Sequence, residues 1–241
     1  MDTVDVVLLT FNSERMLREC LDSVYQNIPV GRLIVVDGYS TDRTLEILKD
    51  FNERYGNVDL IKDRVTRSTA RQKGIEHVKA DWFVFVDSDV VLCKDWFKRA
   101  VSYVKKDVGA VWGIEVWSTI KKVSTLKLFL LITRKIFDLR GGTHDILIRT
   151  ASVRGIKIPK KLHVFEDAFI KEYIEKGWKV VGCYVPFCIH YRPRSVWTLR
   201  GSLSLVVEAL RFGDFRMITK LFFAYWFYAG YSVFQLFSRQ K

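Results

Sequence analysis

Trp82-Phe83-Val84-Phe85-Val86-Asp87-Ser88-Asp89 is the stretch that decides the fold. Its aromatic and β-branched run reads as a strand buried on both faces, the pattern of a parallel sheet. The strand leads straight into two carboxylates one residue apart. A buried strand ending in Asp-x-Asp places both charges at the carboxyl edge of a sheet, where α/β folds bind ligands. Two such carboxylates repel one another unless a cation neutralises them, and oxygen ligands suit a hard ion such as Mg²⁺ or Mn²⁺. The plainer alternative is an acidic turn that caps the next helix.

Working outward, the same alternation recurs. Residues 4–9 read as a first strand ending at Thr10-Phe11-Asn12, with Ser13 placed to cap a helix. Met16, Leu17, Cys20, Leu21, Val24, Tyr25 and Ile28 then fall at helical spacing. Residues 33–36 form a second strand, closed by Asp37-Gly38-Tyr39-Ser40-Thr41-Asp42, and Leu45, Leu48 and Tyr55 share one face of the segment after it. A short strand over 58–61 and a helix over 68–78 complete the approach to Asp-x-Asp. Strand and helix in strict alternation predict parallel βαβ units and an α/β sheet. No internal repeat, low-complexity tract or Pro/Gly-rich linker interrupts the chain.

A length of 241 residues fits one large domain or a domain with an appendage, and 49% hydrophobic residues supply an ample core. The cysteines Cys20, Cys93, Cys183 and Cys188 are scattered without a Cys-x-x-Cys pair. With no secretory signal at the start, they read as reduced core thiols of a cytosolic protein, and a zinc site is not expected. The net charge is +12, of which +11 sits in two segments, residues 117–137 and 191–241. Both are also rich in Leu, Phe, Trp and Tyr, the pattern of a segment lying on an anionic membrane. No zinc-finger, RNA-recognition or helix-turn-helix signature accompanies the charge, so nucleic acid is not the expected partner.

Several stretches together carry a resemblance. Val35-Val36-Asp37-Gly38-Tyr39-Ser40-Thr41-Asp42-Arg43-Thr44 resembles the early acidic loop of nucleotide-sugar glycosyltransferases of the family-2 type. Ala70-Arg71-Gln72-Lys73-Gly74 is similar to that family's Ala-Arg-Asn-x-Gly, Asp87-Ser88-Asp89 to its Asp-x-Asp, and Glu166-Asp167 to its Glu-Asp near the acceptor. The match runs over roughly residues 4–190 in the family's order. Gly38 stands where many members carry a second Asp, and Gln72 replaces the usual Asn. The resemblance implies a GT-A fold, a Rossmann-like, mostly parallel sheet flanked by helices, and an inverting transfer of sugar from a nucleotide donor.

The residues then take these roles. A diphosphate leaves with negative charge, so the chemistry calls for a cation as Lewis acid, Mn²⁺ or Mg²⁺. Asp89 is expected to touch that metal; by resemblance Asp87 faces the ribose or a metal-bound water. Asp37 is placed either to accept hydrogen bonds from the base or to hold an Asx-turn. Thr10 is expected to line the same pocket through hydroxyl and backbone. Arg71 is expected to complement the phosphates with its fixed fork of donors, or else to be a solvated helix residue. Asp167 reads as general base for an acceptor hydroxyl with Glu166 in support, although acids at a helix N-terminus also suit the dipole. A phosphate acceptor would need no base. His190 reads as metal ligand, phosphate donor or structural contact. Arg192 and Arg194 are expected over the phosphates or against lipid headgroups. His144-Asp145 is expected on the acceptor side, and His77 and His163 show no constellation.

Two basic-apolar appendages complete the reading. Leu126, Phe129, Leu130, Thr133, Ile136 and Phe137 recur at helical spacing within an insertion over about 117–140. Residues 221–237 carry no charge and are flanked by Arg216, Lys220, Arg239 and Lys241. That stretch is expected to lie in the interface as a monotopic helix, with a single C-terminal anchor as the alternative. The expected organisation is a catalytic domain over 1–195 and membrane-associating helices over 196–241. The expected function is metal-dependent transfer from a UDP- or GDP-sugar to a lipid-linked acceptor at the cytoplasmic face of the cell membrane. The alternatives are a polyprenyl-phosphate sugar synthase and a non-catalytic nucleotide-sugar-binding membrane partner.

Overall fold

The computed structural model describes residues 2–63, 66–117, 142–160, 162 and 165–191. Within them, β1 (Val4–Thr10), α1 (Glu14–Asn27), β2 (Val30–Asp37), α2 (Thr44–Tyr55) and β3 (Val58–Lys62) alternate as the hydrophobic pattern predicts. They are followed by α3 (Arg67–His77), β4 (Trp82–Asp87), β5 (Val90–Leu92), α4 (Trp96–Val101) and β6 (Val108–Trp117). After the insertion come β7 (Asp145–Arg149), a 3-10 turn (Thr150–Val153), α5 (Glu166–Glu175) and β8 (Lys179–His190).

The strands form one eight-stranded sheet in the order β3-β2-β1-β4-β7-β6-β8-β5. β3, β2, β1 and β4 are mutually parallel. The chain reaches the β3 edge and then crosses back to place β4 on the far side of β1. That reversal opens a crevice at the carboxyl ends of β1 and β4, where Thr10 and Asp87 stand. The other half departs from a simple βαβ repeat. β7 runs antiparallel to β4 and β6, and β5 antiparallel to β8, while β6 and β8 are parallel.

These antiparallel registers bring distant residues to the same edge. Val86 pairs with Asp145, so β7 begins where β4 ends. Val90 pairs with His190, so β8 ends beside the Asp-x-Asp turn.

Alternation along β1 explains the layers. Val4, Val6 and Leu8 point to a core built with Leu17, Leu21 and Val24 of α1 and Leu48 and Phe51 of α2. Val7, on the opposite face, meets α3. A Cβ at Gly74 would lie 2.3 Å from Val7 Cγ1, so only glycine lets α3 press this closely on the sheet. Phe83 and Phe85 of β4 also face this side and meet edge to face, with ring centroids 5.2 Å apart. All residues from Trp82 to Val86 are buried, and each large side chain contributes about 1.5–3 kcal/mol on leaving water. The four cysteines are free thiols, three of them buried.

Most of the basic insertion, Arg194 and the apolar stretch 221–237 lie outside the described residues. Among the described residues, no helix is long and apolar enough to cross a membrane.

Candidate active site

The loops after β1 and β2 are stitched together by polar contacts. Asp37 is fully buried. Its Oδ2 accepts hydrogen bonds from Thr10 Oγ1 at 2.8 Å and Ser40 Oγ at 2.6 Å, and Oδ1 accepts from Ser40 N at 2.9 Å. The turn-holding alternative for Asp37 is therefore the one realised, and its carboxylate has no surface left for a base. Thr10 is buried beside it and donates its hydroxyl hydrogen to that carboxylate. Asn12 Oδ1 accepts from Thr41 N at 2.8 Å, and Asn12 N donates to Ser40 Oγ at 2.9 Å. Asn12 and Tyr39 take left-handed conformations, with φ of 49° and 65°.

This scaffold presents two aromatic rings that the sequence reading did not single out. Phe11 is 67% exposed and Tyr39 45%. Phe11 lies against Gly38, where a Cβ would come within 3.1 Å of the ring. The glycine that replaces the family's second Asp thus makes room for Phe11.

The Asp-x-Asp turn is braced from behind. Ser13 carries no side-chain cap of α1; its hydroxyl instead meets Ser88 Oγ at 2.9 Å. Asp87 Oδ1 accepts from Arg71 Nη2 at 2.7 Å, a charge-assisted distance. Burial alone would raise the Asp87 carboxyl, but the Arg71 guanidinium, with His144 and Arg67, holds it well below 3.8. Asp89 is set differently. Its Oδ1 stands 3.1 Å from His190 Nε2 rather than against an arginine, at a side-chain exposure of 35% close to the 30% of Asp87.

Arg71 requires a correction. It was expected to face phosphates, yet only 1% of it is exposed. Its guanidinium lies over the Phe85 ring at 4.9 Å and between two carboxylates, Asp87 and Glu166. The Nε–Oε1 distance to Glu166 is 3.5 Å, and Arg67 Nε approaches the same oxygen at 3.8 Å. Burial raises the Glu166 carboxyl; Arg71 opposes this and Asp167 adds to it. Glu166 therefore sits beneath the α5 N-terminus, while the neighbouring Asp167 is part-exposed and accepts from Ala168 N at 2.7 Å. Gln72, the replacement for the family's Asn, grips the segment leading toward α5. Its amide donates to Ile156 O at 3.2 Å and accepts from Ile158 N at 2.9 Å.

Among the described residues, two donor sets could hold a cation. Asp89 and His190 offer a carboxylate oxygen and an imidazole nitrogen 3.1 Å apart. That is close to the edge of an octahedron with bonds of about 2.1 Å, so the pair fits Mg²⁺ or Mn²⁺. Their position at the open edge, with Asp87 already neutralised by Arg71, makes them the better match. The second set is His144, Asp145 and Cys188, whose ligand atoms lie within 4.8 Å of one another. It includes a thiol, and Asp145 and Cys188 are fully buried, so it suits a hard ion poorly. Asp145 also accepts from Trp96 Nε1 at 3.1 Å. His144 and His190 stand with ring centroids 6.0 Å apart, which puts His144 near the Asp-x-Asp turn.

The family model for glycosyl transferase family 2 matches residues 5–156. The chain belongs to that family. A mannosyltransferase from Pyrobaculum calidifontis, solved with GDP-Man and Mn²⁺, matches 93% of this chain and 69% of its own at a TM-score of 0.71 and 17% identity. A poly(ribitol-phosphate) β-glucosyltransferase from Bacillus spizizenii is 33% identical over 110 residues, covering 43% of this chain and 17% of its own length. The Staphylococcus aureus poly(ribitol-phosphate) β-N-acetylglucosaminyltransferase TarS is 27% identical over 181 residues, covering 67% of this chain and 30% of its own length. The chain thus spans less than a third of these two curated relatives. As a family-2 member it has the GT-A fold, with the parallel half of the sheet carrying Asp-x-Asp.

Proposed function

We propose that this family-2 chain is an inverting, metal-dependent glycosyltransferase that moves a sugar from a UDP- or GDP-sugar to a hydroxyl of a lipid-linked acceptor. The observation that carries the reading is the Asp89–His190 pair at the carboxyl edge, 3.1 Å apart and beside an Asp87 that is already neutralised. Asp89 and His190 would hold Mn²⁺ or Mg²⁺, which supplies Lewis-acid stabilisation of the departing diphosphate. Phe11 would stack on the base, and the loop that Asp37 and Ser40 hold would set its edge contacts. Asp87, fixed in its ionised form, would accept a hydrogen bond from the ribose.

The acceptor hydroxyl would attack the anomeric carbon opposite the diphosphate. As the new C–O bond forms, the bond to the diphosphate breaks and its electron pair leaves with that group. The hydroxyl proton passes to Asp167. The basic, apolar stretches 117–137 and 191–241 would keep the site at a membrane where such an acceptor resides, with Arg194 near the phosphates or headgroups.

A thermal-shift and turnover screen of UDP- and GDP-sugars with and without Mn²⁺ tests the reading. One donor class should stabilise the full chain only with metal, and Asp167→Asn should keep that stabilisation while lowering kcat by about a hundredfold or more. No metal-dependent shift with any donor would overturn the assignment. Unchanged turnover in Asp167→Asn would move a phosphate acceptor ahead. Flotation with anionic vesicles tests the membrane part, which fails if the full chain stays in solution.

A further inference from the structure

We infer that Arg71 is a positioning residue that ties the donor-side carboxylate Asp87 to the acceptor-side pair Glu166-Asp167, so that sugar passes to the acceptor rather than to water. The inference deepens the function proposed above and rests on it. Its basis is a single buried guanidinium reaching two carboxylates from different elements, Asp87 at the end of β4 and Glu166 at the start of α5. These residues lie far apart in sequence, and each belongs to a different half of the reaction.

The fork is closed on one side and open on the other. Arg71 Nη2 meets Asp87 Oδ1 at 2.7 Å, a full charge-assisted hydrogen bond. Toward Glu166 the contact is 3.5 Å, longer than such a bond. Among the described residues, Arg71 Nε and Nη1 and Glu166 Oε2 have no hydrogen-bond partner. Two donors of Arg71 and one oxygen of Glu166 are thus unused in one buried cluster, where an unmade bond is costly and its formation is correspondingly favourable. Closure of that gap would draw the first turn of α5 inward and carry Asp167, the next residue, with it.

The platform under Arg71 is stiff enough for this role. Gly74 seats α3 against Val7, and the Phe85 ring supports the guanidinium from the sheet. On the same helix Gln72 holds Ile156 and Ile158, and the hydroxyls of Thr66 and Ser68 each donate to Lys160 O at 3.4 Å. One helix therefore grips both the Asp87 turn and the chain leading to Glu166. A lysine at position 71 keeps the charge but offers one ammonium in place of a planar fork, and so serves one carboxylate at a time.

In transfer, the acceptor oxygen bonds to the anomeric carbon, the diphosphate leaves with the electron pair, and the proton goes to Asp167. In hydrolysis a water oxygen bonds to the anomeric carbon, the diphosphate again leaves with the electron pair, and the water proton can pass to neighbouring solvent without Asp167. A displaced Asp167 should therefore impair transfer more than hydrolysis.

The test uses the full chain with Mn²⁺, UDP-GlcNAc or GDP-mannose as donor, and a panel of alkyl glycosides as acceptor probes. Arg71→Lys should keep donor KM within about threefold, lower transfer kcat by about thirtyfold, and raise the hydrolysis-to-transfer ratio about tenfold. An unchanged ratio, or equal losses in both reactions, would overturn the inference. Melting temperatures of Arg71→Met, Glu166→Gln and the double variant give a second arm. With the bridge present, Glu166→Gln should restore part of the stability lost in Arg71→Met, because an amide needs no counter-charge. Additive losses would overturn the bridge. If the wild type turns over no donor or uses no acceptor probe, the function reading is what fails there, and this stability cycle alone decides the bridge.

Discussion

Asp87 and Asp89 stand on one turn with a single serine between them, yet the protein treats their charges differently. Asp87 receives a buried arginine at 2.7 Å and is held ionised by it. Asp89 faces the imidazole of His190 at 3.1 Å, although the two carboxylates are about equally exposed, at 30% and 35%. The first charge is neutralised from within the fold. The second is paired with an imidazole, a group that can share a cation with it. An Asp-x-Asp motif is therefore two sites with separate electrostatics, and the distinction comes from α3 and β8 rather than from the motif.

The largest effect that can break this distinction is on turnover. Asp89→Asn should remove Mn²⁺-dependent donor binding and lower kcat/KM by about a thousandfold or more, since Lewis-acid stabilisation is worth several kcal/mol. A Mn²⁺ titration of donor turnover checks it. A variant that binds metal and donor as the wild type does would place the cation elsewhere.

Stability should show the reverse order. Asp87→Asn leaves the Arg71 guanidinium buried with only the more distant Glu166, and should cost roughly 2–4 kcal/mol, somewhat below a fully buried pair because Asp87 is part-exposed. Asp89→Asn should change stability by less than about 1 kcal/mol. Urea denaturation of both variants without metal compares them directly. Equal losses would mean that the two carboxylates are structurally equivalent.

A smaller effect concerns the base. Phe11→Ala should weaken donor binding by about tenfold while leaving the metal dependence intact, in line with about 1–3 kcal/mol for one base stacked on an aromatic ring. Isothermal titration with UDP or GDP in the presence of Mn²⁺ reads this. A wild-type affinity would free Phe11 from the donor site.

How much of this was legible before the fold depends on the range of the signal. The strand over 82–86 and its terminal carboxylates were readable because an apolar run and a charge pair are local features. His190 and Glu166-Asp167 were readable as candidates through the family resemblance, each standing at a boundary between a strand or helix and a loop. The fate of Arg71 was not. A helical arginine is ordinarily solvated, and only the approach of α3 at Gly74 carries this one beneath the surface. Asp37 had two open readings, and the choice fell to Ser40 and Thr10, whose geometry no spacing encodes. The exposure of Phe11 was equally hidden, because a phenylalanine after a strand is more often core. The antiparallel return that sets His144-Asp145 beside Asp87 depends on strand pairing across a long insertion, which local periodicity does not report.

The smallest expected effect is a pH slope, and it sharpens the comparison by adding a third carboxylate to the same arginine. Burial raises the Glu166 carboxyl above 4.5, with Asp167 reinforcing the rise and Arg71 and Arg67 opposing it. A raised folded-state value means that the native chain holds this proton more tightly than the unfolded chain. The resulting stability is fully present below about 4.5 and is lost as pH rises through the folded value. Asp87 has the opposite sign, since its value is depressed below 3.8. Its contribution is present above that range and is lost only as pH falls through the lower folded value, so it adds no slope between pH 5 and 8. Over that window Glu166 should make the wild type lose stability with rising pH, and Glu166→Gln should lack that component. The slope from one proton cannot exceed about 1.4 kcal/mol per pH unit. Urea denaturation at constant ionic strength from pH 5 to 8 measures it as the wild-type stability minus that of the variant, which should fall as pH rises. Parallel curves would mean that Arg71 neutralises Glu166 as completely as it does Asp87, and its closed grip on one carboxylate and open grip on the other would then carry no energetic difference.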